Sequence, residues 1–173
     1  YSTLTSITLP NGLKSIGECA FDGCSGLTEV VFPNSLENIG EYAFYGCSGL
    51  TGISIPNSVT AIGSFAFSYC TGLKSATIGI GLTSMGTNVF HNCTELTNVK
   101  VKSNVVYETF SGCKNLKHVT IDANVTNIAN DTFTGCTSLT NIHIEEGDNL
   151  LSLHGKYSSF GQGYGLFSSC PLA

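Results

Sequence analysis

The chain has 173 residues, a formal charge of −5, 42% apolar residues and 11% charged ones, under half the charged share usual in a soluble domain. A mean hydropathy of +0.19 argues against disorder, which combines low hydrophobicity with high net charge; no apolar run approaches the roughly 18 residues of a membrane helix. Twelve acids stand against seven Lys and no Arg, so no phosphate-binding patch is expected and nucleic acid is not an expected partner.

Along the chain one unit recurs. Leu27 opens LTEVVFPNSLENIGEYAFYGCSG and Leu50 opens LTGISIPNSVTAIGSFAFSYCTG, a period of 23 residues. Units open at Leu4, Leu27, Leu50, Leu73, Leu96, Leu116 and Leu139, and Leu172 begins an eighth. Each closes on Phe-x-x-Cys, from Phe21/Cys24 to Phe167/Cys170. The opening alternation (Leu50, Ile53, Ile55) predicts a strand with one face buried. Pro-Asn at Pro10, Pro33 and Pro56 then turns the chain. A second apolar pair such as Val59 and Ile62 predicts a short extended segment on the opposite side, and Gly17, Gly40, Gly63 and Gly86 mark the next bend. Ala-Phe-x-x-Cys is expected to form a single helical turn that drops Phe and Cys inward.

No unit buries its apolar face alone, so the units must stack into one core. The expected fold is a repeat solenoid over residues 1–173, about seven coils with one parallel strand each and right-handed crossovers. Two coils depart from the period. The fifth loses three residues around Val105-Val106-Tyr107, which should pinch the far side. The seventh gains ten within Leu150–Leu166, where Gly155, Gly161, Gly163 and Gly165 suggest a loop: either a binding insertion or a degenerate terminal coil. Both ends fall in the same phase of the repeat without a polar cap. That is expected of a portion of a longer array, or of ends masked by another copy.

The unit L-x-x-φ-x-φ-P-x-S-φ-x-x-I-G-x-x-A-F-x-x-C resembles the BspA-like leucine-rich repeat, and the resemblance covers essentially the whole chain. It implies a leucine-rich-repeat superhelix from a surface or secreted protein of mucosal anaerobes, such as Bacteroides and treponeme relatives, or of parasitic protists. The implied role is adhesion to host matrix, host cells or other bacteria, with an extracellular protein or glycan as partner. It carries no catalytic residue, no cofactor and no fixed ligand site.

Seven of the eight Cys hold one repeat position and should stack in the core as small hydrophobes. Their side chains point the same way, which disfavours disulfides despite the strand spacing, and they lack the paired knuckles of zinc sites. Cys19 takes the slot of Tyr42, Phe65 and Asn88. No Gly-x-Ser-x-Gly elbow or Gly-Lys-Ser/Thr loop is present, and no enzymatic role is expected. His118 and His143 should face out of adjacent strands two positions apart, roughly 7–8 Å between Cβ atoms; with Glu145 nearby, a metal site is the alternative to simple solvation. His91 and His154 are expected in turns. Asn92, Asn124 and Asn130 head Asn-x-Thr sequons, relevant only to a glycosylating host.

The outward strand face is the candidate binding surface. Its early coils are small and neutral, with Glu18, Asp22, Glu37 and Glu41 elsewhere; its later coils gather Lys74, Thr77, Lys100, Lys117, His118, Thr120 and His143. Such a face would dock an acidic partner or a glycan. The competing reading is a spacer solenoid with no ligand of its own.

Overall fold

The structure, a computed structural model, describes residues 3–104 and 108–146 and the backbone of 152–153. Stacked coils build two faces. The front sheet comprises β3 (Gly52–Ser54), β5 (Ser75–Ile78), β7 (Asn98–Val101), β8 (His118–Ile121) and β10 (Asn141–Ile144), all parallel and in coil order. The back carries two-residue strands: β1 (Ser15–Ile16), β2 (Asn38–Ile39), β4 (Ala61–Ile62) and β6 (Ser84–Met85) in one ladder, β9 (Asn127–Ile128) and β11 (Ser152–Leu153) in another. Register follows the repeat without slippage: Ile53 pairs with Ala76, Val99 with Ala76 and Val119, and Ile142 with Val119. Period-2 alternation enforces this, because a one-residue slip would expose every core side chain.

The core is a set of columns running along the stack. Leu27, Leu50, Leu73, Leu96, Leu116 and Leu139 are fully buried. Phe21, Phe44, Phe67, Phe90, Phe110 and Phe133 stack at 5.0, 5.2, 5.3, 5.5 and 5.7 Å between ring centroids. Beside them stand six buried Cys, from Cys24 to Cys136, and Cys24, Cys47, Cys70, Cys93 and Cys113 are free thiols, as is exposed Cys19. The column does more than fill space. Cys47 Sγ–H donates to Phe21 O at 3.1 Å, and Cys70, Cys93, Cys113 and Cys136 donate at 3.2 Å to the Phe carbonyl one coil back. A side chain that is small, apolar and still a donor fits there.

Ala-Phe-x-x-Cys is not a helical turn, contrary to expectation. Tyr45 N donates to Tyr42 O and Cys47 N to Phe44 O, giving two overlapping β-turns. The N–H groups of Tyr42, Phe44 and Gly46 instead reach the next coil, at Ser64, Ala66 and Ser68 O (3.0, 2.8 and 2.9 Å). Left-handed backbone at Tyr42 (φ 53°) and Gly46 (φ 65°) interrupts any helical run. The Pro-Asn turns form as expected, with Leu36 N on Pro33 O and Val59 N on Pro56 O. The serine two residues after the proline then ties coils together, Ser35 Oγ donating to Leu13 O and Ser58 Oγ to Leu36 O at 2.7 Å.

The strands expected after Leu4 and Leu27 do not form a ladder. Residues 29–32 make no backbone hydrogen bond to either neighbouring coil. Phe32 fills the inward slot of Ile55, Ile78, Val101 and Ile121, and its larger ring sits edge-on to Phe44 (5.6 Å) and Phe67 (6.3 Å). That bulk holds the segment off β3.

The three-residue loss of the fifth coil falls on 105–107, outside the described residues, and so does the seventh coil's insertion apart from β11. The backbone of 152–153 is paired to β9 where a loop was expected. The fifth coil's back segment, between β6 and β9, falls on 105–107, and Asn104 just before it pairs with the sixth coil. In earlier coils one carbonyl accepts two successive N–H groups: Lys14 O from Glu37 and Asn38, Glu37 O from Thr60 and Ala61, Thr60 O from Thr83 and Ser84. In the shortened coil Asn104 Oδ1 takes that role, accepting Thr126 N and Asn127 N, both at 2.9 Å.

Candidate binding surface

Parallel pairing arranges the outward side chains of the front sheet in three rows. Thr51, Lys74, Thr97, Lys117 and Thr140 form the first, each N–H donating to the carbonyl one coil back at 2.9–3.4 Å. Lys74 and Lys117 are therefore two strand spacings apart, roughly 9.6 Å, with Thr97 between them. The second row is Gly52, Ser75, Asn98, His118 and Asn141; the third is Ser54, Thr77, Lys100, Thr120 and His143. His118 pairs with Asn141 and Thr120 with His143, so the two histidines do lie on adjacent strands two positions apart. Lys74, Lys117, His118 and His143 are exposed, while Thr77, Lys100 and Thr120 are half-buried. No group of three or more His, Cys, Asp or Glu is placed to hold a metal among the described residues.

Lys100 stands apart within this set. Its Nζ donates to Glu145 Oε1 at 2.6 Å, two strands away. That hydrogen bond pushes the ammonium pKa up, against partial loss of hydration, with added support from the Glu145 and Asp122 charges. The Asp122 carboxyl is held below its usual range, chiefly by the hydrogen bond from Asn124 N (3.0 Å). Lys14 pairs with Glu37 on the back. Lys74, Lys102, Lys114 and Lys117 form no ion pair among the described residues.

Where residues 29–32 stand off from β3, a cleft of about 800 Å³ opens beside the sheet. Glu29 and Val31 line one wall, Gly52 and Ser54 the other, and Lys102 reaches in from beyond β7. Val31 is 70% exposed there. The only cue to this feature in the sequence is Phe in place of an aliphatic residue at position 32. Lys102, outside the expected face, is the cation that the sequence reading missed; it follows Val101 and looks like a strand-end residue by pattern alone.

Among the described residues, Cys19, Cys47, Cys70 and Cys93 are held away from thiolate chemistry. Burial, followed by the neighbouring Cys24 thiol, pushes the Cys47 pKa up to about 12, and burial drives Cys70 and Cys93 upward as well. Cys19 is exposed; partial desolvation and then the carboxylates of Glu18, Asp22 and Glu41 raise its pKa too, the reverse of an activated thiolate.

The sequence pattern of the "BspA type Leucine rich repeat region" matches in six copies, over residues 1–107 and 104–158. Among solved structures, the chain is similar to the leucine-rich repeat protein TpLRR of T. pallidum, with 26% identity and a TM-score of 0.70 over 84% of this chain and 71% of that one. A leucine-rich repeat protein from Bacteroides ovatus is 33% identical, with a TM-score of 0.69 over 84% of this chain and 45% of its own length. A third, from Eubacterium ventriosum, shares the fold at 24% identity and a TM-score of 0.66, over 86% of this chain and 45% of that one. The chain thus spans under half the length of the latter two. No curated protein matches. By its six repeat copies and its stacked-coil fold, the chain belongs to the BspA-type leucine-rich repeat family.

Proposed function

We propose that this chain is a non-enzymatic, surface or secreted binding module that adheres to an acidic extracellular protein or glycan through the outward face of its front sheet. The observation that carries this reading is the exposed set Lys74, Lys117, His118 and His143, held in or directly before paired strands without ion-pair partners among the described residues. Sheet pairing fixes their spacing, so a partner with matching negative charge would find it preorganised. Lys102 at the cleft extends the basic surface. Each contact is weak in water, and useful adhesion would come from many contacts and repeated arrays.

Binding to immobilised heparin, mucin and a panel of matrix proteins, measured at two salt concentrations, tests the reading. The parent should bind at least one of them with a salt-dependent affinity. Replacing Lys74, Lys117, His118 and His143 by Ser should weaken that binding about tenfold or more. Absence of binding to every probe, or equal binding by the variant, overturns the proposal and favours a spacer solenoid.

A further inference from the structure

Each described coil bends through left-handed backbone on both sides of its inward Phe. The first such position holds Cys19, Tyr42, Phe65, Asn88, Glu108 and Asp131, with φ between 52° and 59°. Four residues on, a second holds Gly23, Gly46, Tyr69, Asn92, Gly112 and Gly135. Gly, Asn and Asp tolerate this conformation, whereas a bulky residue there costs on the order of 1–3 kcal/mol. Tyr42, Phe65 and Tyr69 nevertheless occupy such positions, where sister coils carry Cys, Asn, Glu or Asp at the first and Gly or Asn at the second.

Those three rings join Tyr45 and His91 in one ladder along the turn edge. Tyr42 stacks on Phe65 at 5.1 Å and meets Tyr45 edge-on at 5.5 Å; Tyr45 tilts against Tyr69 at 5.4 Å, and Tyr69 meets His91 at 5.7 Å. The ladder is not core: Tyr69 is 41% exposed and the other four rings are half-buried. Mutual stacking returns about 0.5–1.5 kcal/mol per pair. It does not require aromatic residues at the disfavoured positions, which the neighbouring coils build without them.

The surroundings of the ladder are acidic. Glu41 adjoins Tyr42, Glu18 lies one coil below Glu41, and Asp22 lies one coil below Tyr45. Glu108 and Asp131 continue the same edge; Lys114, in the fifth coil just past Cys113, is the one Lys in these turns among the described residues. Aromatic faces next to carboxylates select cations, because ring quadrupoles and negative charge act together. An acidic glycan or a nucleic acid would be repelled.

We infer that the turn edge formed by Tyr42, Tyr45, Phe65, Tyr69 and the carboxylates Glu18, Asp22 and Glu41 is a docking surface for a basic peptide segment. Arg side chains fit best, since a planar guanidinium stacks on the rings while its N–H groups meet the acids. This surface is separate from the Lys-bearing sheet face, and the opposite charges of the two give each its own partner.

Calorimetric titration with an eight-residue peptide alternating Arg and Ser, in about 0.15 M salt, tests the inference. The parent should bind it. A variant carrying Tyr42→Asn, Phe65→Asn and Tyr69→Gly takes the residues of its sister coils, so its Tm should stay level or rise while affinity falls about tenfold or more. Glu18→Gln, Asp22→Asn and Glu41→Gln together should weaken binding similarly. Lys74→Ser with Lys117→Ser should leave peptide affinity unchanged, which keeps this result separate from that of the sheet face. Equal binding by the aromatic variant overturns the inference, and so does a parent that takes a neutral oligosaccharide such as cellohexaose but not the peptide.

Discussion

The inside and the outside of a single coil follow different rules. Inward, the columns never break through the described coils: Leu above Leu, Phe above Phe, Cys above Cys. Outward, one row of the sheet reads Gly52, Ser75, Asn98, His118 and Asn141, and the turn edge passes from Tyr42 through Phe65 to Asn88. A stacked interior allows one solution repeated, because each side chain must fit the copy above and below. The surface has no such constraint and is free to differ coil by coil, which is where recognition resides.

The sharpest break of this contrast is inside. Phe67→Ala removes a ring stacked on both sides, at 5.2 and 5.3 Å, and should cost about 3–5 kcal/mol in urea denaturation. Phe21→Ala, in a half-buried ring stacked on Phe44, should cost clearly less. Gly63→Ala comes next. A Cβ there would lie 2.3 Å from Glu41 N and 2.6 Å from Glu41 Cα, so backbone must shift, at about 1–3 kcal/mol. Asn104→Ala strips Thr126 N and Asn127 N of the side-chain acceptor they share, costing about 1–2 kcal/mol; Asn104→Asp keeps the acceptor and should recover most of it.

The thiol column gives a pH-dependent version of the same contrast. Burial raises the folded pKa values of Cys47, Cys70 and Cys93 above the ordinary thiol value of 9.0. Unfolded thiols ionise first as pH rises, so the stabilisation is intact below about pH 9 and is lost above it, through about 12 for Cys47. The urea midpoint should therefore fall between pH 8 and 11. In native alkylation at pH 8, Cys19 should react well before the six buried thiols, and all should react after denaturation. A loss of two mass units per Cys pair would contradict the free column.

Much of this was legible because a repeat states each rule several times. The period, the buried Leu, Phe and Cys, the outward rows and the two-position offset of His118 and His143 all follow from spacing. The turn after Ala was misread because Phe and Cys three apart fit a helical turn and a β-turn equally, and Tyr42 and Phe65 hide left-handed positions that Gly or Asn would have signalled. The cleft depends on the volume of Phe32, a packing effect that no pattern of apolar positions registers. The Lys100–Glu145 pair joins residues 45 apart, so only the stacked register brings it into view.

The most direct test of the division between inside and outside is one denaturation experiment on a variant with seven of the outward residues changed together: Lys74, Thr77, Lys100, Lys117, His118, Thr120 and His143, each to Ser. Although seven positions change, its unfolding free energy should stay within about 1–2 kcal/mol of the parent, less than the loss from Phe67→Ala alone. A surface variant destabilised as much as the single core variant would contradict the account.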